Sequence, residues 1–305
     1  MEESGDSAPR GAHGRQAGHV PVLLKEAIDF LAVRPGGLYV DATVGLGGHA
    51  YEVARRLGRL GRLIGLDKDP AALERAQERL AQLGDEAPSI TLVHDSFAAL
   101  AEHAGENEAD GVLADLGVSS LQFDEPSRGF SFRAEGPLDM RMNPQAGQTA
   151  EQVVNQLSER ELADLIYEFG EERRSRRIAR AICRARPIRS TQHLAEVVSA
   201  AARPMKPGIH PATQTFQALR IYVNQELDDL RKLLRAAPRV LKPGGRLVVI
   251  SFHSLEDRIV KDAIRDGVRD GTYSVLTKKP VTAGEDEVQR NPRSRSAKLR
   301  AAERL

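Results

Sequence analysis

Cysteine is almost missing from this chain: Cys183 is the only one in 305 residues. An intramolecular disulfide and a cysteine-built zinc cluster are both excluded. No apolar run approaches the roughly 18 residues a membrane helix needs, so no membrane span is expected. Charge of one sign is scarce too, with 44 Lys and Arg against 43 Asp and Glu and a net charge of +1. Bulk electrostatics therefore does not point to a polyanionic partner. There is no internal repeat and no long low-complexity tract. Residues 1–17 hold no apolar stretch, which reads as a disordered lead-in and not as a secretory signal.

What is present is an ordinary globular balance, 41% hydrophobic and 29% charged. That suffices for one large domain or two modest ones, in a soluble, cytoplasmic protein. The basic residues cluster: residues 171–206 hold ten Lys or Arg against three Glu, and residues 290–305 hold six against one. Local basic patches matter more to polyanion binding than the total does.

Periodicity gives the element order. A helix is expected over 20–31, strands over 38–41, 62–67, 90–94 and 111–116, and helices after the first two strands, over 49–57 and from Pro70. Strands alternating with helices at this spacing imply a parallel, doubly wound sheet. Alternation stops between 122 and 206, where helices are expected over 150–156, 159–169, 173–184 and 191–202. It resumes with one helix over 212–237, a turn over 241–246, a strand over 247–251 and a helix over 255–265. An antiparallel pair over 273–277 and 298–303 closes the chain. The domains expected are a lead-in (1–17), an α/β domain in two pieces (18–121 and 207–305), and an inserted helical subdomain (122–206).

The first candidate site is Asp41-Ala42-Thr43-Val44-Gly45-Leu46-Gly47-Gly48-His49. Glycines directly after a strand let the backbone turn tightly and approach a ligand, and the helix that follows presents unpaired N–H groups. Asp67 ends the second strand, where an acid can accept hydrogen bonds from ribose hydroxyls. Gly45, Gly47 and Ala50 also fit the dinucleotide pattern G-x-G-x-x-A, so this loop alone does not separate a dinucleotide from S-adenosyl-L-methionine, nor either from a ligand-free turn. Three features favour the sulfonium cofactor. Asp41 at the strand end would repel a pyrophosphate but suit a cation. His94-Asp95-Ser96-Phe97 offers polar and apolar contacts for an adenine. Leu241-Lys242-Pro243-Gly244-Gly245-Arg246 looks like the turn found before the fifth strand in many class I methyltransferases.

The fourth strand sharpens the reading. Asp115-Leu116-Gly117-Val118-Ser119-Ser120 is followed by Arg128-Gly129-Phe130-Ser131-Phe132 and by Gly136-Pro137-Leu138-Asp139-Met140-Arg141-Met142. Later come Gly170-Glu171-Glu172-Arg173, His210-Pro211-Ala212-Thr213 and Ser251-Phe252-His253-Ser254-Leu255-Glu256-Asp257-Arg258. Together these closely resemble the RsmH (MraW) family over residues 18–305. The resemblance implies a class I, Rossmann-like α/β methyltransferase with an inserted helical subdomain. It also implies methylation of the exocyclic N4 of a cytidine in the decoding region of bacterial small-subunit ribosomal RNA, with the small ribosomal subunit as partner. Carried over by motif, the cofactor contacts fall on Gly47, Gly48, His49, Asp67, Phe97, Asp115 and Gln122, joining Asp41 and Gly45 from the loop itself.

The chemistry needs an acceptor beside the amine, whose lone pair is delocalised into the ring. Asp115 holds the acid position found in aminomethyltransferases, but Leu116-Gly117-Val118 replaces their proline pair and aromatic. Asp139 and His253 are the other candidates for proton handling or amine orientation. Phe130, Phe132 and Phe252 are candidates for stacking the base. Each has a plainer alternative: the first two phenylalanines as core anchors, His253 as a helix cap, Asp139 as the partner of Arg141 or Arg133. Methylation at carbon 5 is disfavoured, because it needs a nucleophile and Cys183 lies in an Arg-rich helical segment.

Arg173, Arg177, Arg180 and Arg184 recur at helical spacing and form a candidate phosphate-tracking face, with a solvated, acid-paired face as the alternative. Arg293 and Arg295 are candidates in the C-terminal segment. No metal ligand set stands out, and a homodimer is among the assemblies the sequence allows. A dinucleotide-dependent oxidoreductase and a non-catalytic RNA-binding assembly factor are the competing classes.

Overall fold

The structure is a computed structural model that describes residues 21–202 and 210–305. The expected lead-in over 1–17, and residues 203–206 of the expected insertion, lie outside the described residues.

Seven strands form one sheet: β1 (Leu38–Asp41), β2 (Arg62–Asp67), β3 (Ser89–His94), β4 (Ala109–Asp115), β5 (Leu241–Ser251), β6 (Tyr273–Val275) and β7 (Lys298–Arg304). Their order is β3-β2-β1-β4-β5-β7-β6. The first five run parallel, and β7 pairs antiparallel with both β5 and β6. All four residues of β1 are buried, as a strand covered on both faces requires. Alternation along it sends Tyr39 into one core and Leu38 and Val40 into the other.

The helices are α1 (Leu24–Leu31), α2 (Gly48–Leu57), α3 (Pro70–Leu80), α4 (Leu100–Ala104), α5 (Ser120–Asp124), α6 (Ala150–Gln156), α7 (Glu159–Gly170), α8 (Ser175–Ala185), α9 (Thr191–Ala201), α10 (Thr213–Asn224), α11 (Glu226–Val240), α12 (Ser254–Arg269) and α13 (Glu285–Arg290). Ile28 and Leu31 of α1, Val53 of α2 and Ala76 of α3 cover the Tyr39 face. Leu230 and Leu233 of α11 and Val260 and Ile264 of α12 cover the other. This is the α/β class I methyltransferase architecture expected from sequence.

A second core, separate from the sheet, unites Phe130 and Leu138 with α6 to α10. No strand interrupts it among the described residues, only an isolated bridge between Pro137 and Ser190. Caps set several of its helix starts. Ser119 with Gln122, Thr149 with Gln152, and Ser158 with Glu161 form reciprocal capping boxes. Gly129 is required where it sits: its φ is +73°, and a Cβ there would lie 2.2 Å from the Pro137 carbonyl oxygen.

Three elements differ from the sequence expectation. The helix expected over 20–31 begins at Leu24, because Leu23 adopts φ 51°. The single helix expected over 212–237 is two, α10 and α11, broken at Gln225 with φ 54°. Apolar periodicity runs through this break, and neither glycine nor proline marks it. α10 belongs to the helical core and α11 to the sheet, so the helical body extends past residue 206 to Asn224. The expected turn over 241–246 is part of β5, as an irregularity where the register jumps from Ala109↔Leu241 to Gly111↔Arg246.

A buried polar junction ties the two bodies together. Asp69, fully buried, caps α3 through Oδ1 and accepts hydrogen bonds at Oδ2 from Gln122 Nε2 (2.9 Å) and Arg128 Nη1 (2.7 Å). Arg128 Nη2 also donates to the carbonyls of Arg141 and Met142. Beside it, the Asn224 side chain bonds Met140 O and Met142 N, and Lys68 Nζ donates to Asn224 O and pairs with Asp229 at 2.6 Å. Removing the cation from such a pair strands a buried carboxylate. Arg128→Ala is therefore expected to cost about 3 kcal/mol, read as a lower urea midpoint.

Candidate active site

The glycine turn after β1 shapes the floor of a cleft between the strand ends and the helical body. The cavity is about 600 Å³, within the range of small-molecule sites. Gly45 and Gly47 take positive φ, and a Cβ on Gly48 would lie 2.3 Å from Pro21 Cγ. This close packing demands glycine there.

Two strand-end carboxylates, Asp67 and Asp115, line the floor, and a third, Asp41, lies buried next to them outside the lining. Asp41 is buried, accepts Thr43 N–H at Oδ1 (3.1 Å), and has no hydrogen-bond partner at Oδ2. Burial pushes it up to about 7, against the Thr43 hydrogen bond and with help from the Asp67 charge. Asp67 accepts Asp69 N–H at Oδ1 and Gly45 N–H at Oδ2, each at 2.8 Å. Burial raises it to about 6 despite those two bonds. Asp115 leaves 22% of its side chain open to the cleft, yet its Oδ1 is buried without a partner. Burial, then the charges of Asp41 and Glu256, hold it well above the ordinary carboxylate range. Three acids that resist ionisation together make a site in which a cation is welcome and a pyrophosphate is not.

Other predicted cofactor residues join them. His49, buried in the first turn of α2, lies 3.1 Å from Val22 O through Nε2 and 3.6 Å from Asp115 Oδ2 through Nδ1. Phe97 lines the cleft on a short 3₁₀ turn whose cap, Ser96, donates to Asp229 at 2.7 Å. Gln122 lines the cleft too, but its amide is committed to Asp69 and to the cap of α5.

The remaining candidates are placed differently. Asp139 holds Arg141 with two parallel hydrogen bonds of 2.8 Å and is not part of the cleft lining. His253 is the N-cap of α12 in a capping box with Glu256, and its Nε2 lies 3.1 Å from Glu256 Oε1. Phe130 is a core residue, and Phe132 packs against His210 and Phe216 at 4.6 and 4.8 Å between ring centres. Phe252, in contrast, lines the cleft beside Gly117. Arg177, Arg180 and Arg184 are exposed along α8 and Arg173 just before it, all outside the cleft, with Ile178 and Ile182 turned into the core. Arg180 pairs with Glu159 at 3.2 Å. Arg293 reaches the cleft rim, and Arg295 is exposed next to it. Cys183 packs against the helical core and not in the cleft.

Several site residues escaped sequence reading. Thr43 Oγ1 accepts Asp115 N–H at 2.6 Å and fixes the β4 end. Glu256 anchors the chain at Phe252 N (2.8 Å), and the H-x-x-E spacing was its signal. Glu226, His253 and Glu256 each bring a ligand atom within 4.8 Å of the others, a spacing a divalent ion can use. Arg220 occupies both oxygens of Glu226 at 2.8 Å and supplies positive charge there.

Comparison with known proteins accords with this architecture. The chain matches the MraW methylase family over residues 16–305. It is 67% identical to a protein of Koribacter versatilis named Ribosomal RNA small subunit methyltransferase H, covering all of both chains. Proteins of the same name from Acidobacterium capsulatum (64% identical, 94% of this chain and 98% of that one) and Sorangium cellulosum (53%, 97% and 92%) are similar over nearly their whole length. Solved structures align loosely: a rRNA methylase from Streptococcus thermophilus gives a TM-score of 0.43 at 15% identity, over 94% of this chain and 99% of that one.

The raised Asp41 makes a test. Between about pH 4 and 7 the folded chain holds a proton that the unfolded chain has lost, so stability falls as pH rises through that window. Asp41→Asn removes this loss. Its melting temperature is expected to exceed that of the unaltered protein more at pH 8 than at pH 5, read by thermal unfolding at both.

Proposed function

As the chain belongs to the MraW methylase family, we propose that it transfers a methyl group from S-adenosyl-L-methionine to the exocyclic N4 of a cytidine in the decoding region of small-subunit ribosomal RNA. The observation that carries this reading is the cleft floored by Asp67 and Asp115, with unpartnered buried oxygens on Asp115 and on Asp41 next to it. The names of the similar proteins supply the RNA class. The acids disfavour a dinucleotide, whose pyrophosphate they would repel.

When bound, the cofactor supplies a methyl group on a positively charged sulfur. The chain's residues do the rest. Asp41 and Asp115, whose burial opposes ionisation in the empty cleft, ionise more readily beside that positive charge. Asp67 retains lone pairs for ribose hydroxyls beyond the two backbone N–H groups it accepts. Phe97 flanks the adenine, Gly45, Gly47 and Gly48 allow close approach, and His49 holds the Asp115 side. Asp115 accepts a hydrogen bond from the cytosine amine, which localises the nitrogen lone pair. Transfer would form the bond from nitrogen to the methyl carbon as the carbon–sulfur bond breaks, leaving the nitrogen one proton too many, and Asp115, ionised beside the bound cation, would receive that proton. Phe252 is the platform for the base.

Asp139 and His253 enter as positioning residues. Asp139 fixes Arg141 in the loop whose carbonyls Arg128 holds, and His253 caps the helix behind Phe252. Gln122 acts through Asp69, and Phe130 and Phe132 shape the helical body. The exposed arginines on and just before α8 (Arg173, Arg177, Arg180, Arg184), with Arg293 and Arg295, track backbone phosphates. The substrate is RNA in the assembled small subunit, met in the cytoplasm.

Labelled-methyl transfer to small subunits lacking the modification, followed by nucleoside analysis, is expected to yield N4-methylcytidine. Label on any other atom, or none despite cofactor binding, overturns the reading and in the second case favours an assembly factor. Asp115→Asn is expected to lower turnover by roughly 10²–10⁴-fold, with a much smaller change in cofactor affinity by calorimetry.

A further inference from the structure

The cleft segregates charge. Its floor is acidic, and its basic lining residues differ sharply in how they are neutralised. Lys68 is paired with Asp229 and Arg220 with Glu226. Arg133 and Arg293 stand at the rim, and both lie over one aromatic ring, that of Phe123 on α5. Their guanidinium carbons are 5.8 and 5.1 Å from its centre. Arg293 is paired with Asp124 at 2.6 Å. Arg133 is exposed and makes no ion pair among the described residues; its backbone N–H alone bonds Ser131 Oγ.

A guanidinium stacked on an aromatic face is orientationally restricted, while its N–H edge stays free for a planar, bidentate grip on an anion. The three residues come from α5, from the loop before α6 and from the segment before β7, so the stack spans the mouth of the cleft. An anion held there sits directly above a floor that rejects anions.

We propose that Arg133, seated on Phe123 with Arg293 over the same ring, grips the RNA phosphate adjoining the target nucleotide and so delivers its base into the cleft. This rests on the RNA methyltransferase reading and adds a specific substrate subsite to it. One phosphate contact at the mouth acts on substrate binding and leaves the chemistry on the floor untouched.

The test uses the full-length enzyme and small subunits lacking the modification. Arg133→Ala is expected to raise KM for the subunit about tenfold, equal to about 1.4 kcal/mol, with kcat nearly unchanged. The slope of log kcat/KM against log salt should shrink by about one, as loss of a single phosphate contact requires. Arg133→Lys should restore the slope and only part of the KM, since charge returns without the planar stack. Arg265→Ala, an exposed arginine of α12, should match the unaltered enzyme. Unchanged KM and salt slope in Arg133→Ala, or an equal effect in Arg265→Ala, overturns the proposal. So does weakened S-adenosyl-L-methionine binding by calorimetry, which would assign Arg133 to the cofactor's own carboxylate. No N4-methylcytidine from the unaltered enzyme would overturn the underlying reading, and is seen before any variant is compared.

Discussion

The buried contact between Asp69 and Arg128 is the constraint on which the rest of this molecule depends. Asp69 sits two residues beyond the β2 acid and caps the helix that backs the cleft, while Arg128 opens the helical body. A charge pair withdrawn from water survives only if its remaining donors and acceptors are matched. Here they are: Gln122, the Ala71 N–H and two carbonyls of the 139–142 loop complete the set. The geometry is unforgiving, so the helical body has one docking position relative to the strand ends. The width of the cleft between them follows from that.

The floor shows the opposite economy. Asp41, Asp67 and Asp115 are poorly matched with one another, and among the described residues no lysine or arginine pairs with Asp41 or Asp115. A fold optimised for stability alone would place amides or apolar groups there. In the proposed role, a positively charged ligand would turn mutual repulsion among the acids into attraction.

Much of this was legible in the sequence. The parallel strands are apolar runs bounded by glycine, proline and acids, and the glycine turn with Asp67 marked the cleft before any geometry was known. The reciprocal caps of α5, α6 and α7 follow a Ser/Thr-x-x-Gln/Glu spacing at Ser119, Thr149 and Ser158, although apolar periodicity alone places α6 and α7. What stayed hidden depended on three-dimensional neighbours. The break at Gln225 leaves no trace in apolar periodicity, because a non-glycine residue in the left-handed region is held there by the two helices packing on different cores. Asp139 and His253 looked like chemistry because both are polar residues beside glycines and aromatics. The plainer alternatives for both, a pair with Arg141 and a helix cap, are the contacts the structure contains. Arg133 and Phe123 are ten residues apart and carry no recognisable spacing, so their stack is a product of the tertiary fold.

The strand order also has a history in time. β4 ends at Asp115 and its neighbour β5 begins at Leu241, with the helical body between them. A chain emerging from the ribosome at ordinary speed needs roughly ten seconds to cover that interval. Throughout it, the nascent sheet presents an unpaired edge at β4, and the apolar face awaiting Leu230, Leu233 and Val260 has no cover. Autonomous collapse of the inserted helices does nothing to shield that edge. The newborn sheet therefore keeps that edge and face uncovered until α11 and β5 have been made.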